Sequence, residues 1–226
     1  MVRTRTLLDW IDAPDAPGTV ADRIANALCE QIVDGRIPAG ALLTEVEIAT
    51  EHGASRTPAR EAMLRLQAQG LVKLLPKKGA LVTSPSSQER RDLLRVRGML
   101  ERSAVEYAVA DHDRRDQLVA DLRVLLAEQA NHFDDPRAYA IADYTFHARI
   151  ILDDGNVVIE DMLRAIAPRL LRLIHRATDV NARRLAEMHH EHAALLHAIE
   201  EGHAAGYAAL VIDHLQRGHA SYAVVD

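Results

Sequence analysis

The sequence predicts a mainly α protein, with an N-terminal winged helix-turn-helix followed by an all-α six-helix bundle. Three observations carry this. Apolar residues recur at helical spacing through most of the chain. Aromatic residues make up only 4% of it against 48% hydrophobic residues, which suits Ala- and Leu-rich helices better than packed sheets. Two strand-length apolar runs, Leu71–Leu75 and Ala80–Val82, flank Pro76-Lys77-Lys78-Gly79, the composition of a hairpin turn.

A chain of 226 residues is long enough for one or two domains. Its single cysteine, Cys29, cannot form an internal disulfide, which fits a reducing cytoplasm. No apolar run approaches the ~20 residues that span a bilayer, so no membrane partner is expected.

Taken in order, residues 1–17 read as an N-terminal extension with an apolar patch at Leu7, Leu8, Trp10 and Ile11. Residues 18–84 read as the winged helix-turn-helix domain. Its first helix spans about 19–34, with Val20, Ile24, Ala27, Leu28, Ile32 and Val33 on one side and Gly35 at its end. A short helix over 45–52 carries Val46, Ile48 and Ala49. Gly53 suits a left-handed helix end, Ser55 suits an N-cap, and Pro58 suits a first helical turn. The next helix recurs through Ala62, Met63, Leu66 and Ala68 and closes at Gly70. A second helix of this kind enters the DNA major groove, and the hairpin behind it forms the wing.

Charge supports that assignment. Between Ser55 and Pro85 the cations are Arg56, Arg60, Arg65, Lys73, Lys77 and Lys78 and the anion is Glu61, a local net charge of +5 in a chain of net charge −6. A basic face on an acidic protein is suited to phosphate. Arg56 and Arg60 lie four apart and share one helix face. The plain alternative for two such arginines is a solvated helix surface.

Residues 88–223 read as the second domain. Six helices are expected at about 88–110, 113–132, 136–153, 156–177, 181–201 and 203–222, separated by short breaks rich in Asp and Gly. Such short connections favour antiparallel neighbours. Twelve histidines are many for this length. Asp143 and His147 lie four apart beside Phe146 and Ile150, so a carboxylate and an imidazole share a partly apolar helix face. Such a pair near a core requires a partner, and a metal ion is one economical choice. His192 follows Glu191 in the fifth helix and His214 follows Asp213 in the sixth. One Asp and three His would make a closed tetrahedral zinc site or leave positions open on an octahedral ion. The alternative is four separately satisfied polar groups.

Two motif sets resemble a known family. SRTPAREAMLRLQAQGLV followed by PKKGALV, with IVDGRIPAGALL upstream, resembles the DNA-binding domain of the GntR superfamily of bacterial transcription regulators. The resemblance covers about Val20 to Val82. It implies DNA contacts from Arg56, Thr57, Arg60, Lys77, Lys78 and Gly79. Relatives of the FadR type often carry a DNA-contacting Arg after the first Glu of helix two, and here Val46 follows Glu45, so that contact is not carried over. Downstream, Arg97-Gly-Met-Leu-Glu101, Asp143-x-x-x-His147, Gly155-Asn156, Glu191-His192 and Asp213-His214-Leu215 fall in the order of an FCD-type ligand-binding domain. The helix count is similar to the VanR-type subgroup.

This second resemblance implies Asp143, His147, His192 and His214 as ligands of a divalent metal ion, zinc, nickel or manganese. A small organic acid would complete its coordination, and Arg97 is the candidate effector contact, ahead of Arg149, Arg164, Arg169 and Arg172. The implied protein is a cytoplasmic homodimer that binds operator DNA, most commonly a repressor, and is not an enzyme. Two other readings are a regulator for which the metal itself is the signal, and a metalloenzyme. The second is disfavoured because no H-E-x-x-H type motif occurs.

Overall fold

The computed structural model describes residues 18–180 and 182–220. The expected extension over 1–17 lies outside the described residues. The described residues form two compact units, 18–86 together with 165–172, and 87–164 together with the residues from 173 on.

In the first unit, α1 (Val20–Val33) starts at a reciprocal capping box. The Asp22 amide donates to Thr19 Oγ1, and the Thr19 amide donates to Asp22 Oδ2 at 2.8 Å. Its buried face is Ala21, Ile24, Ala25, Leu28, Cys29, Ile32 and Val33. Val20, expected inside, is exposed at the first helical position. The short α2 (Glu45–Glu51) has a second capping box, between Thr44 and Glu47. It buries Ile48 and Ala49 but leaves Val46 half exposed.

Helix α3 (Arg56–Ala68) follows at Gly53, which has φ 59°. Ser55 occupies the N-cap position but makes no side-chain cap, so the amides of the first turn face outward without it. Ala59, Ala62, Met63 and Leu66 are its buried residues, while Ala68 is exposed. The helix ends in paired bonds from the Gly70 amide to Gln67 O and from the Leu71 amide to Leu66 O, with Gly70 left-handed.

The sheet has three strands in the order β1-β3-β2: β1 (Leu42–Leu43), β2 (Val72–Leu75) and β3 (Gly79–Val82). All pairs are antiparallel. Two residues are too few to show a strand period, so β1 emerges only from its pairing of Leu42 with Leu81 and Leu43 with Ala80. Gly79 is required by this close approach. A Cβ there would stand 2.2 Å from Leu43 O, and its φ is 121°.

The second unit contains α4 (Ser87–Val109), α5 (His112–Gln129), α6 (Pro136–Ile151), α7 (Val157–Val180, apart from residues 165–172), α8 (Leu185–Glu200) and α9 (Ala204–Ala220). Short 3-10 turns lie at Ala130–His132 and Ala182–Arg184. Among the described residues these are the six expected helices, with ends shifted by a few residues. Asp111 caps α5, and Asp135 caps α6 with Pro136 in the first turn. His203 precedes α9, and its ring fills the space that a Cβ at Gly206 would take, 2.0 Å from His203 Cδ2. The core holds Val105, Leu118, Leu122, Phe146, Ile150, Ile199 and Tyr207, contributed by α4, α5, α6, α8 and α9. Helix α4 packs on α5, α6 and α9, and α8 packs on α5 and α9. That arrangement turns the polar residues of α4, α6, α8 and α9 toward a shared interior. None of the described helices is long and apolar enough to cross a membrane.

Candidate functional site

The basic residues of the first unit stand exposed. Arg56, Thr57 and Arg60 project from the first two turns of α3, and Lys77 and Lys78 from the β2–β3 turn. Gly79 is partly covered and serves the close approach to β1. Arg60 Nε is 4.0 Å from Glu45 Oε1, a solvent-exposed pair. Arg65 is taken up by Asp22 of α1, so it is a packing residue and not part of the exposed set. The turn is closed by the Lys78 amide donating to Leu75 O at 3.0 Å. Pro76 precedes Lys77, which has φ 62°, a position that favours glycine.

In the second unit, Asp143, His147, His192 and His214 converge. Their potential ligand atoms all lie within 4.8 Å of one another, and all four residues are buried. Helix α6 supplies the first two, one turn apart, while α8 and α9 supply one each. Phe146 forms one wall, stacked on His192 at 5.1 Å between ring centroids and edge-on to His147 at 5.3 Å.

Each imidazole is held from behind. Nδ1 of His147 lies 2.9 Å from Glu101 Oε2, Nδ1 of His192 lies 2.8 Å from Gln129 Oε1, and Nδ1 of His214 lies 2.8 Å from Glu191 Oε2. All three partners are acceptors, so each Nδ1 carries the proton and each Nε2 presents a lone pair. Nε2 of His147 and Nε2 of His192 stand 3.2 Å apart, and His192 Nε2 is 3.2 Å from Asp143 Oδ2. Asp143 Oδ1 is buried without a hydrogen-bond partner. Lone pairs and a carboxylate facing one another at this range repel unless a cation lies among them. Neighbouring ligand atoms held about 2.0–2.2 Å from a metal ion come to about 3–3.4 Å from each other. The donor set and the two 3.2 Å spacings therefore fit a divalent ion, and the acceptor behind each imidazole matches the way metal-binding histidines are oriented.

Arg97 lies under this cluster, 3% exposed. Its Nε donates to Glu101 Oε1 at 2.8 Å, and its Nη2 is 3.8 Å from Asp143 Oδ1 without a hydrogen bond. The Tyr207 hydroxyl donates to Glu101 Oε2 at 2.6 Å. Glu101 is thus the centre of a network of three donors. Burial raises its pKa, but the His147 ring, the Arg97 guanidinium and the hydrogen bonds from His147 and Tyr207 outweigh that and bring it to about 2. Asp143 is likewise held below the ordinary carboxylate range: burial opposes this, and the adjoining His192 and His147 rings and the Arg97 guanidinium prevail. Burial pushes His192 down to about 3, and burial with the Arg97 charge lowers His147. Both imidazoles are therefore neutral near pH 7, as metal ligation requires.

Of the rival cations, Arg149 is engaged by Asp121 and Asp153, each at 2.9 Å, and Arg164 by Glu160 and Asp161. Sequence reasoning missed the roles of Glu101, Gln129, Glu191 and Tyr207. Glu101 had a signal, since it lies one turn from Arg97. Glu191 is the chain neighbour of His192, yet it supports His214, because adjacent helical residues point about 100° apart. Gln129 had no signal.

Comparison with known proteins follows the same division. Residues 20–82 match the family described as bacterial regulatory proteins, gntR family, and residues 92–217 match the FCD domain. Over 179 residues the chain is 31% identical to the Nta operon transcriptional regulator of Aminobacter aminovorans, covering 79% of this chain and 82% of that one. It is 28% identical over 185 residues to a probable D-xylose utilization operon transcriptional repressor of Paenarthrobacter nicotinovorans, covering 81% and 80%. Its fold is similar to that of E. coli McbR/YncC, with TM-score 0.74 and 23% identity over 92% of this chain and 100% of that one.

Proposed function

We propose that this chain, which belongs to the GntR family of bacterial transcription regulators and carries an FCD domain, is a homodimeric repressor whose grip on operator DNA is set by a small organic acid bound at a metal centre. The observation that carries the metal reading is the set of three imidazoles, each fixed at Nδ1, whose Nε2 lone pairs meet one buried carboxylate. Asp143, His147, His192 and His214 would hold a zinc, nickel or manganese ion. Bound there, the ion supplies positive charge and open coordination positions for oxygen donors. Arg97 keeps Nη2 free of any hydrogen bond beside that centre, and this group would meet the effector's carboxylate.

In the first unit, Arg56, Thr57 and Arg60 would enter the major groove from the uncapped end of α3, where helix amides and side chains both suit phosphate and base edges. Lys77 and Lys78 would touch the backbone from the wing. A dimer presents two such heads to a two-fold operator. The effector shifts DNA affinity only as far as it favours one arrangement of the heads over the other. The burial of all four candidate ligands favours a resident ion over a freely exchanging metal signal.

The DNA half is tested by operator titration of Arg60→Ala. Affinity should fall and the slope of affinity against salt should decrease by about 1. A folded variant with unaltered affinity and slope would remove Arg60 from the interface.

A further inference from the structure

Among the described residues of the second unit, a surface cleft between α8 and α9, with a volume of about 430 Å³, reaches the metal cluster. Of the four candidate metal ligands, only His214 lines it. His147 and Asp143 are 2% exposed and His192 is fully enclosed, so His214 is the side on which the cluster nears solvent.

The chemistry of the walls is specific. Glu187 and Glu191 come from one face of α8 and Asp213 from α9, against Arg184 and Arg217. Three carboxylates face two guanidiniums, and His190 adds a further nitrogen ligand at the rim. Each arginine is already engaged: Arg184 Nε bonds Glu187 at 2.8 Å, and Arg217 bonds Asp213 at 2.6 Å and lies 3.9 Å from Glu191. The cleft therefore offers spare negative charge and no spare positive charge. That suits a divalent cation and disfavours an organic anion. At about 430 Å³ it also admits an ion with its water shell, since each water takes about 30 Å³.

Glu191 is the hinge of the arrangement. One of its oxygens accepts from His214 Nδ1, and the other faces Arg217. Arg217 thus ties Glu191 to Asp213 across the mouth, and His214 can swing only if Glu191 lets it. We infer that this cleft is the path by which the divalent ion reaches and leaves the centre, drawn by Glu187 and Asp213 and gated by the Arg217–Glu191–His214 chain. This rests on the metal reading given above.

The test is the rate of Zn²⁺ exchange in the full-length protein. Uptake by metal-stripped protein and release to excess chelator are each followed over time, together with equilibrium affinity. Removing Arg217 (Arg217→Ala) opens the tie and leaves the carboxylates unopposed. Uptake and release should both quicken by about tenfold, with affinity changed less than either rate. Asp213→Asn should slow uptake and weaken its dependence on salt, because steering by charge fades as ions screen it. Asp116→Asn, an exposed carboxylate on α5 away from the cleft, should leave the rates unaltered. If Arg217→Ala and Asp213→Asn both bind Zn²⁺ with wild-type rates, the ion uses another path and the inference fails while the metal centre stands. If wild-type protein takes up no stoichiometric Zn²⁺, the centre and its path fail together.

Discussion

Gln129 Oε1 lies 2.8 Å from Nδ1 of His192, joining residues 63 positions apart in the chain. The same oxygen faces His189 Nδ1 at 3.2 Å, and Gln129 is fully buried at the end of α5. An amide oxygen in this place dictates which nitrogen of His192 is free to bind a metal.

Replacing it follows from that geometry. Gln129→Leu keeps the volume but leaves His192 Nδ1 without an acceptor, so the ring can rotate or change tautomer. Metal affinity should drop by about 10–100-fold, the usual effect of losing such an outer partner. Chelator competition measures it. Unaltered affinity in a folded variant would mean that Gln129 does not orient the ring.

Glu101 is a different case, because it neutralises a buried charge. Glu101→Ala leaves the Arg97 guanidinium buried with only Asp143 nearby and removes the acceptor of both His147 and Tyr207. Breaking one side of a buried pair costs about 3–5 kcal/mol. Urea unfolding of the metal-free variant should show a loss of this order, and a loss below about 1 kcal/mol would contradict the network.

How much of this was legible in the sequence differs residue by residue. Asp143 and His147 announced themselves by their four-residue spacing, which local helix geometry enforces. His192 and His214 lie on separate helices, and no spacing rule connects them; only the resemblance to FCD domains placed them with the other two. Their supports were harder still. Glu101 stands one turn from Arg97 and could have been read as its ion-pair partner, whereas Gln129 meets His192 solely through the packing of α5 on α8. In the first unit the helix-turn-helix was readable from its caps and apolar spacing. The exceptions were contextual: Ser55 has the right chemistry for a cap that it does not make, and β1 exists only because β3 pairs with it.

The wing carries a local strain with a functional counterpart. Lys77 has φ 62°, which costs a side-chain-bearing residue about 1–2 kcal/mol relative to glycine. Glycine's larger entropy loss on folding offsets part of that. Lys77→Gly should therefore stabilise the protein by at most about 1 kcal/mol, while operator affinity falls through the loss of one phosphate contact. Thermal unfolding and operator titration together check this. A variant that gained no stability and bound DNA as before would contradict both parts.

Stability of the metal-stripped protein should depend on pH in one direction. His192 titrates at about 3 in the fold against its ordinary value of 6.5, so the unfolded chain takes up a proton that the folded chain refuses. Its contribution is present in full above pH 6.5 and is lost as the pH falls from 6.5 toward 3. His147 is lowered too and adds to the same loss. Glu101, lowered from 4.5 to about 2, adds more from about pH 4.5 downward. The urea midpoint should hold between pH 7.5 and about 6.5 and decline from there to pH 5. A flat profile over that range would mean that neither buried imidazole is kept neutral by the fold.

Metal content and melting temperature, measured together on wild-type protein and His192→Ala, test the metal centre most directly. Wild-type protein should hold a single divalent ion per chain, removable by chelator. Restoring it at about a thousand times its dissociation constant should raise the melting temperature by on the order of 10 °C. His192→Ala should bind little metal and show little of that rise. Wild-type protein that retains no metal, and melts at the same temperature with and without added ions, would return Asp143, His147, His192 and His214 to the status of buried polar residues.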